Sequence, residues 1–136
     1  MMNLGVAENR GADRFGLAVA VLAAVFSLIA TLASAEDIPA AATAEADTVW
    51  QQRCTTCHGA GGKGDGAAAV ALTPKPRDFS VADWQKSVTD EHIEKTILEG
   101  GQAVGLSPLM VGNPDLASKP DVIKALRAHV RSLGPK

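Results

Sequence analysis

Two kinds of hydrophobic pattern divide the chain. Phe15 to Ala33 is apolar almost without interruption, broken only by Gly16, Ser27 and Thr31. Arg10 and Arg14 precede this run, and Ala33-Ser34-Ala35 closes it in a small-x-small sequence ahead of Glu36-Asp37. That layout predicts a secretory signal over residues 1–35, cleaved to leave a mature chain starting at Glu36. The run is also long enough to span a bilayer, so an uncleaved anchor is the competing reading. A buried core helix would need a polar face, and there is none. Both surviving readings put the rest of the chain outside the cytoplasm.

Past this leader the pattern becomes a series of short helical stripes separated by turn residues. Residues 36–43 are Ala-rich and acidic, contain Pro39 and show no stripe; they read as a linker to a domain over residues 44–136. Ala46, Trp50 and Cys54 recur at i, i+4 with Val49 beside them, which predicts a first helix from about Thr43 to Cys54. Gly59 to Gly66 holds five glycines and reads as a permissive loop. Leu72 to Phe79 is kept extended by its prolines. Ser80-Val-Ala-Asp83 predicts a capping box opening a short helix through Lys86. Thr89 predicts the cap of a further helix, with Asp90 and Glu91 at its positive end, Ile93, Ile97 and Leu98 on one side and Gly100-Gly101 as its stop. Ser118 is the expected cap of a last helix, with Pro120 in its first turn. Val122, Ile123, Leu126, Val130 and Leu133 form its buried stripe, and Lys124, Arg127 and Arg131 lie on the other face. No segment alternates as a strand. The fold class is therefore all-α, with the first and last helices packed together.

Composition sharpens this picture. The first 35 residues hold 23 hydrophobic residues, and the remaining 101 hold 40, of which 15 are alanine. Trp50, Trp84 and Phe79 are the aromatics of that remainder. Such a core is thin for a domain, and a bound apolar body would complete it. Net charge is −2, with no basic excess to neutralise phosphates, so nucleic acid is not expected as a partner.

Chemistry enters with Cys54-Thr-Thr-Cys57-His58. A thioredoxin-like redox pair would need a βαβ context, which the pattern lacks. A zinc site would need further ligands, and His92 and His129 offer no paired spacing. Covalent haem attachment needs two thiols spaced for two vinyl groups and an adjacent imidazole for the iron, and C-x-x-C-H supplies both. A haem c would also supply the missing apolar area, at roughly 25 cal/mol per Å² buried. His58 is then the first iron ligand, with a carbonyl of Pro74 or Pro76 expected to accept its Nδ1 proton. For the second ligand, Met110 is the one methionine left after cleavage. It lies in Gly105-Leu-Ser-Pro-Leu-Met-Val-Gly-Asn-Pro114, a loop by its glycines and prolines. His92 and His129 fall on predicted helices, where surface or packing roles are expected. The glycine run offers no phosphate cradle, because no strand precedes it and no G-K-[ST] follows.

Together these features resemble class I cytochrome c, in particular small bacterial mono-haem carriers. Cys57-His58-Gly59-Ala-Gly-Gly62-Lys-Gly64-Asp-Gly66, then Pro74-Lys-Pro76-Arg-Asp78-Phe79, and the Met110 loop ahead of a terminal helix carry the resemblance, which covers about residues 44–134. It implies a small fold of short helices and loops around one covalently bound haem, His58 and Met110 as axial ligands, and one-electron transfer with an exposed haem edge. Two departures stand out. Where the family places a glycine on the first helix and an aromatic on the last, this chain has Ala46 and His129, so His129 crosses against Ala46 or against Trp50, or faces water. Val111 stands where a proline often follows the ligand methionine, so the loop lacks that brace.

The expected function is a periplasmic electron carrier and not an enzyme, with redox proteins as donor and acceptor and with a membrane only if the leader is retained. The alternative is a haem subunit of a larger dehydrogenase or oxidase complex. A gas sensor or peroxidase-like protein would need Met110 off the iron and an acid–base pair that the sequence does not supply. Trp84 is expected to pack in the core, or to pack on the haem or meet a propionate, and Lys63, Lys75, Arg77 and Lys86 either rim the haem edge or scatter over the surface.

Overall fold

A computed structural model describes residues 37–136; the predicted leader, residues 1–35, lies outside the described residues. The first helix, α1, runs Ala40–Val49, then passes into a π-helical turn, Trp50–Cys54, and a final α-helical turn, α2, Thr55–His58. It starts ahead of the expected Thr43 because the alanines of the expected linker have the highest helix propensity of any residue. Three more helices follow: α3 at Ala82–Ser87, α4 at Asp90–Glu99 and α5 at Pro120–Ser132. Short 3-10 turns at Ala69–Ala71, Gly101–Val104 and Pro114–Ser118 lie between them. There is no strand among the described residues. Ile38–Lys136 form one compact unit.

The core lies where α1 meets α5. Ala42, Ala46, Val49 and Trp50 are buried on one side, and Val122, Ile123, Ala125, Leu126 and Val130 on the other. The stripe expected on the last helix is thus the buried one. Leu116 from the last 3-10 turn and Ile93 from α4 complete the cluster.

The helix ends follow the expectations in part. Thr89 caps α4, its Oγ1 accepting from His92 N at 3.2 Å, and Gly100 ends it at φ 86°. Ser80 does not cap α3. Its N–H and Oγ both donate to Asp78 Oδ1, at 2.9 and 2.7 Å, because a carboxylate two residues away is the stronger acceptor. Ser118 does not cap α5 either. It is used inside the 3-10 turn begun by Pro114, so Lys119 is the residue left ahead of Pro120.

The last helix also departs from its expected polar face. Arg127 and Arg131 do not face open water; they clasp α3 and α4. Arg131 donates to Asp90 Oδ1 and to the carbonyls of Gln85 and Val88, each at 2.7 Å. Arg127 pairs with Asp90 and, at 3.1 Å, with Glu94, and its side chain is only 12% exposed. Acids at i, i+4 on α4, Asp90 and Glu94, thus face bases at i, i+4 on α5.

Candidate functional site

Cys54 and Cys57 lie on successive parts of one helical segment, and both thiols are free. The π turn that carries Cys54 belongs to a class of irregularity common at functional sites. His58 ends α2, and Gly59 turns the chain out at φ 77°. The glycine loop then folds back beneath this helix end. Gly64 N donates to His58 O at 2.9 Å, Gly66 N to Cys57 O at 3.2 Å and Ala68 N to Thr56 O at 2.9 Å. These bonds satisfy carbonyls that a helix C-terminus leaves open. The loop thus supports the cysteine segment from behind.

His58 is buried, and two contacts set its ring. Nδ1–H donates to Arg77 O at 3.3 Å. The acceptor is therefore Arg77, not Pro74 or Pro76. Phe79 N donates to Gly62 O at 2.8 Å, which draws this part of the Pro stretch against the glycine loop and His58. The Phe79 ring stacks on the imidazole at 4.6 Å and 16°. Burial lowers the His58 pKa, partly offset by the Arg77 bond. The ring is thus neutral, with the proton on Nδ1 and a lone pair on Nε2, the form that ligates a metal.

Cys54 and Cys57, His58 and Met110 all line one cavity of about 580 Å³, within the range of small-molecule and cofactor sites. Trp84, Phe79, Ile93 and Ile97 supply apolar wall; His92 and Thr96 reach it from α4. Lys75 and Arg77 are in the wall, whereas Lys63 and Lys86 are not among its residues. Trp84 lines the cavity and packs on Phe79 at 5.1 Å, the core packing expected of it. At the mouth Leu106, Leu109 and Val111 are exposed large apolar residues. Arg53 and Asn113 also line the cavity, and the sequence reading missed both.

Met110 comes from the opposite segment. Its carbonyl accepts from Gly101 N at 2.9 Å, and its N–H donates to Ser107 O at 3.1 Å. Asn113 fastens the far end of the loop to α4, its N–H donating to Leu98 O at 2.9 Å and Nδ2 to Ile97 O at 2.8 Å. Close approach requires glycine at position 100, where a β-carbon would lie 2.8 Å from both Met110 O and Gly112 N.

Cys54 does not suit redox work on its own. Burial pushes Cys54 up to about 11, against the smaller opposing pull of Arg53, whereas reactive thiols are lowered. No cluster of three His, Cys, Asp or Glu that could hold a metal ion occurs among the described residues. Two unpaired thiols, a neutral imidazole and a thioether around one apolar cavity do fit a covalently held haem.

At the helix crossing, His129 packs on Trp50 with ring centroids 4.4 Å apart. Of the expected placements, this is the contact with Trp50, and it leaves His129 Nε2 and Trp50 Nε1 buried without hydrogen-bond partners.

The family model for cytochrome c matches residues 43–134. No curated protein matches the chain. Among solved structures, a chain described as KustC0563 c-type cytochrome is 30% identical, with a TM-score of 0.50 over 65% of this chain and 95% of the other.

Proposed function

Because this chain belongs to the cytochrome c family, whose members bind haem c covalently and transfer electrons through it, we propose that it is an exported one-electron carrier, not an enzyme, with a single His/Met-ligated haem. The observation that carries this reading is the shared cavity, which gathers both cysteines, His58 and Met110 from segments far apart in sequence. When bound, the haem supplies a one-electron couple at its iron.

The chain's own residues hold and tune that couple. Cys54 and Cys57 would hold the porphyrin by thioether bonds. His58 is kept in one tautomer by Arg77 O and in one orientation by Phe79. Met110 would be the second residue to hold the iron, leaving no open place there for a substrate or gas. Phe79, Trp84, Ile93 and Ile97 give the cavity its apolar wall. The exposed Leu106, Leu109 and Val111 at its mouth form the docking face, and Lys75 and Arg77, which line the same cavity, favour an acidic redox partner. Export of the domain to the periplasm follows from the leader pattern, with a membrane tether if that leader is retained.

An optical spectrum of the reduced holoprotein, with and without carbon monoxide, tests the ligand set. The wild type should give a sharp low-spin spectrum that the gas does not move. Met110→Ala should bind the gas and have a lower reduction potential. A wild type that binds carbon monoxide would reject His/Met ligation and favour a sensor. Purification as a monomer supports a carrier; a stable complex with a dehydrogenase or oxidase would make the chain a subunit.

A further inference from the structure

The loop that carries Met110 is held to the rest of the chain by two sets of polar ties. Backbone bonds to Gly101 and to the end of α4 are one set. The other comes from the cysteine segment.

Arg53 directly precedes Cys54 in the π turn. Its guanidinium donates to Asp115 Oδ1 at 2.9 Å and Oδ2 at 3.0 Å, and to Asn113 Oδ1 at 3.2 Å. Asn113 is also the residue whose N–H and Nδ2 hold the end of α4. Three segments therefore meet at one amide: the cysteine turn, the Met110 loop and α4. Arg53 and Asn113 line the same cavity as Cys54 and Met110. One nitrogen, Nη1, makes all of these contacts, so the carboxylate and the amide oxygen are held at a single point of the guanidinium.

We propose that Arg53 is a positioning residue for the second axial ligand: its bonds to Asn113 and Asp115 hold the Met110 loop closed over the cavity and keep competing small ligands off the iron. This rests on the reading of Met110 as that ligand. The Arg53 and Asp115 side chains are 43% and 56% exposed, so solvent screening limits the effect to about two- to five-fold in the opening equilibrium.

The test is an imidazole titration of the ferric holoprotein, since imidazole competes with methionine for the metal. R53Q should bind imidazole about two- to five-fold more tightly than wild type. D115N should move the same way, and the double variant should be less than the product of the two. K119Q is the control. Lys119 makes a similarly exposed ion pair beside the same 3-10 turn, but with Glu45 on α1, and its loss should leave imidazole affinity unchanged. Unaltered affinity in R53Q, or equal tightening in K119Q, would overturn the proposal. The Met110 reading fails separately, if the wild type lacks the methionine–iron charge-transfer band or if M110A binds imidazole no better than wild type.

Discussion

Gly66→Ala measures how strongly the glycine loop supports the cysteine segment. A β-carbon at position 66 would lie 2.4 Å from the carbonyl oxygens of both Thr55 and Thr56 and 2.6 Å from the Thr56 carbonyl carbon. All three are backbone atoms, so no side chain can swing away. Carbon–oxygen contact is comfortable from about 3.4 Å, so the loop must retreat by ~1 Å. That retreat breaks the bonds from Gly66 N to Cys57 O and from Ala68 N to Thr56 O. At about 1 kcal/mol net for each, the loss is ~2 kcal/mol. Alanine restricts the unfolded chain and returns about 0.4–1 kcal/mol. The expected net destabilisation is therefore about 1–2 kcal/mol. Gly61 provides the comparison within the same loop. Its β-carbon would meet nothing within 4 Å and its φ is not positive, so Gly61→Ala should stabilise by up to about 1 kcal/mol. Urea unfolding of the holoproteins, followed by visible absorbance and far-UV circular dichroism, gives both values by linear extrapolation. Equal midpoints for the two variants would refute the close packing of loop on helix.

Further expectations concern the core, the helix crossing and the cysteines. Leu126 is 2% exposed between α1 and α5, and Leu126→Ala should cost about 2–5 kcal/mol in the same unfolding assay. Burial lowers the His129 pKa, against the opposite pull of Asp47; the unfolded chain then takes up the proton more readily, so stability is full above about pH 6.5 and falls as pH drops through and below that value. His129→Phe should remove this part of the pH dependence, and an unchanged slope of unfolding free energy against pH would count against a buried neutral histidine. The Cys54→Ala/Cys57→Ala chain, unable to form thioethers, should lose most of its far-UV helix signal, because the large cavity then lacks the body that fills it; native helix content would contradict this.

Most of the site was legible because its chemistry is local in sequence. C-T-T-C-H states two thiols and an imidazole in one short stretch, and a lone methionine on a Gly/Pro loop is conspicuous in a thin core. Three things were not legible. The acceptor for His58 depends on which carbonyl the Pro stretch turns inward, and that carbonyl belongs to Arg77. The caps at Ser80 and Ser118 lost to neighbours, an upstream carboxylate and an earlier 3-10 turn, because hydroxyls compete poorly with charged acceptors and with backbone already committed. Arg127 and Arg131 read as a solvated face because helical periodicity on one helix is blind to acids on another.

What the sequence alone determined is what short-range patterning encodes: the all-α class, the helices and their buried stripe, the covalent haem motif and, through it, the family. Tertiary structure decided the contacts between distant segments. Pairing of Arg53 with Asn113 and Asp115 spans 60 and 62 residues, and packing of His129 on Trp50 joins the first and last helices. Such pairings depend on the angle and depth at which whole elements dock, and no local pattern specifies them. The five glycines show the division most plainly: composition marks all of them as turn residues, and only the folded chain separates Gly66, pressed against two carbonyls, from Gly61, which faces open space.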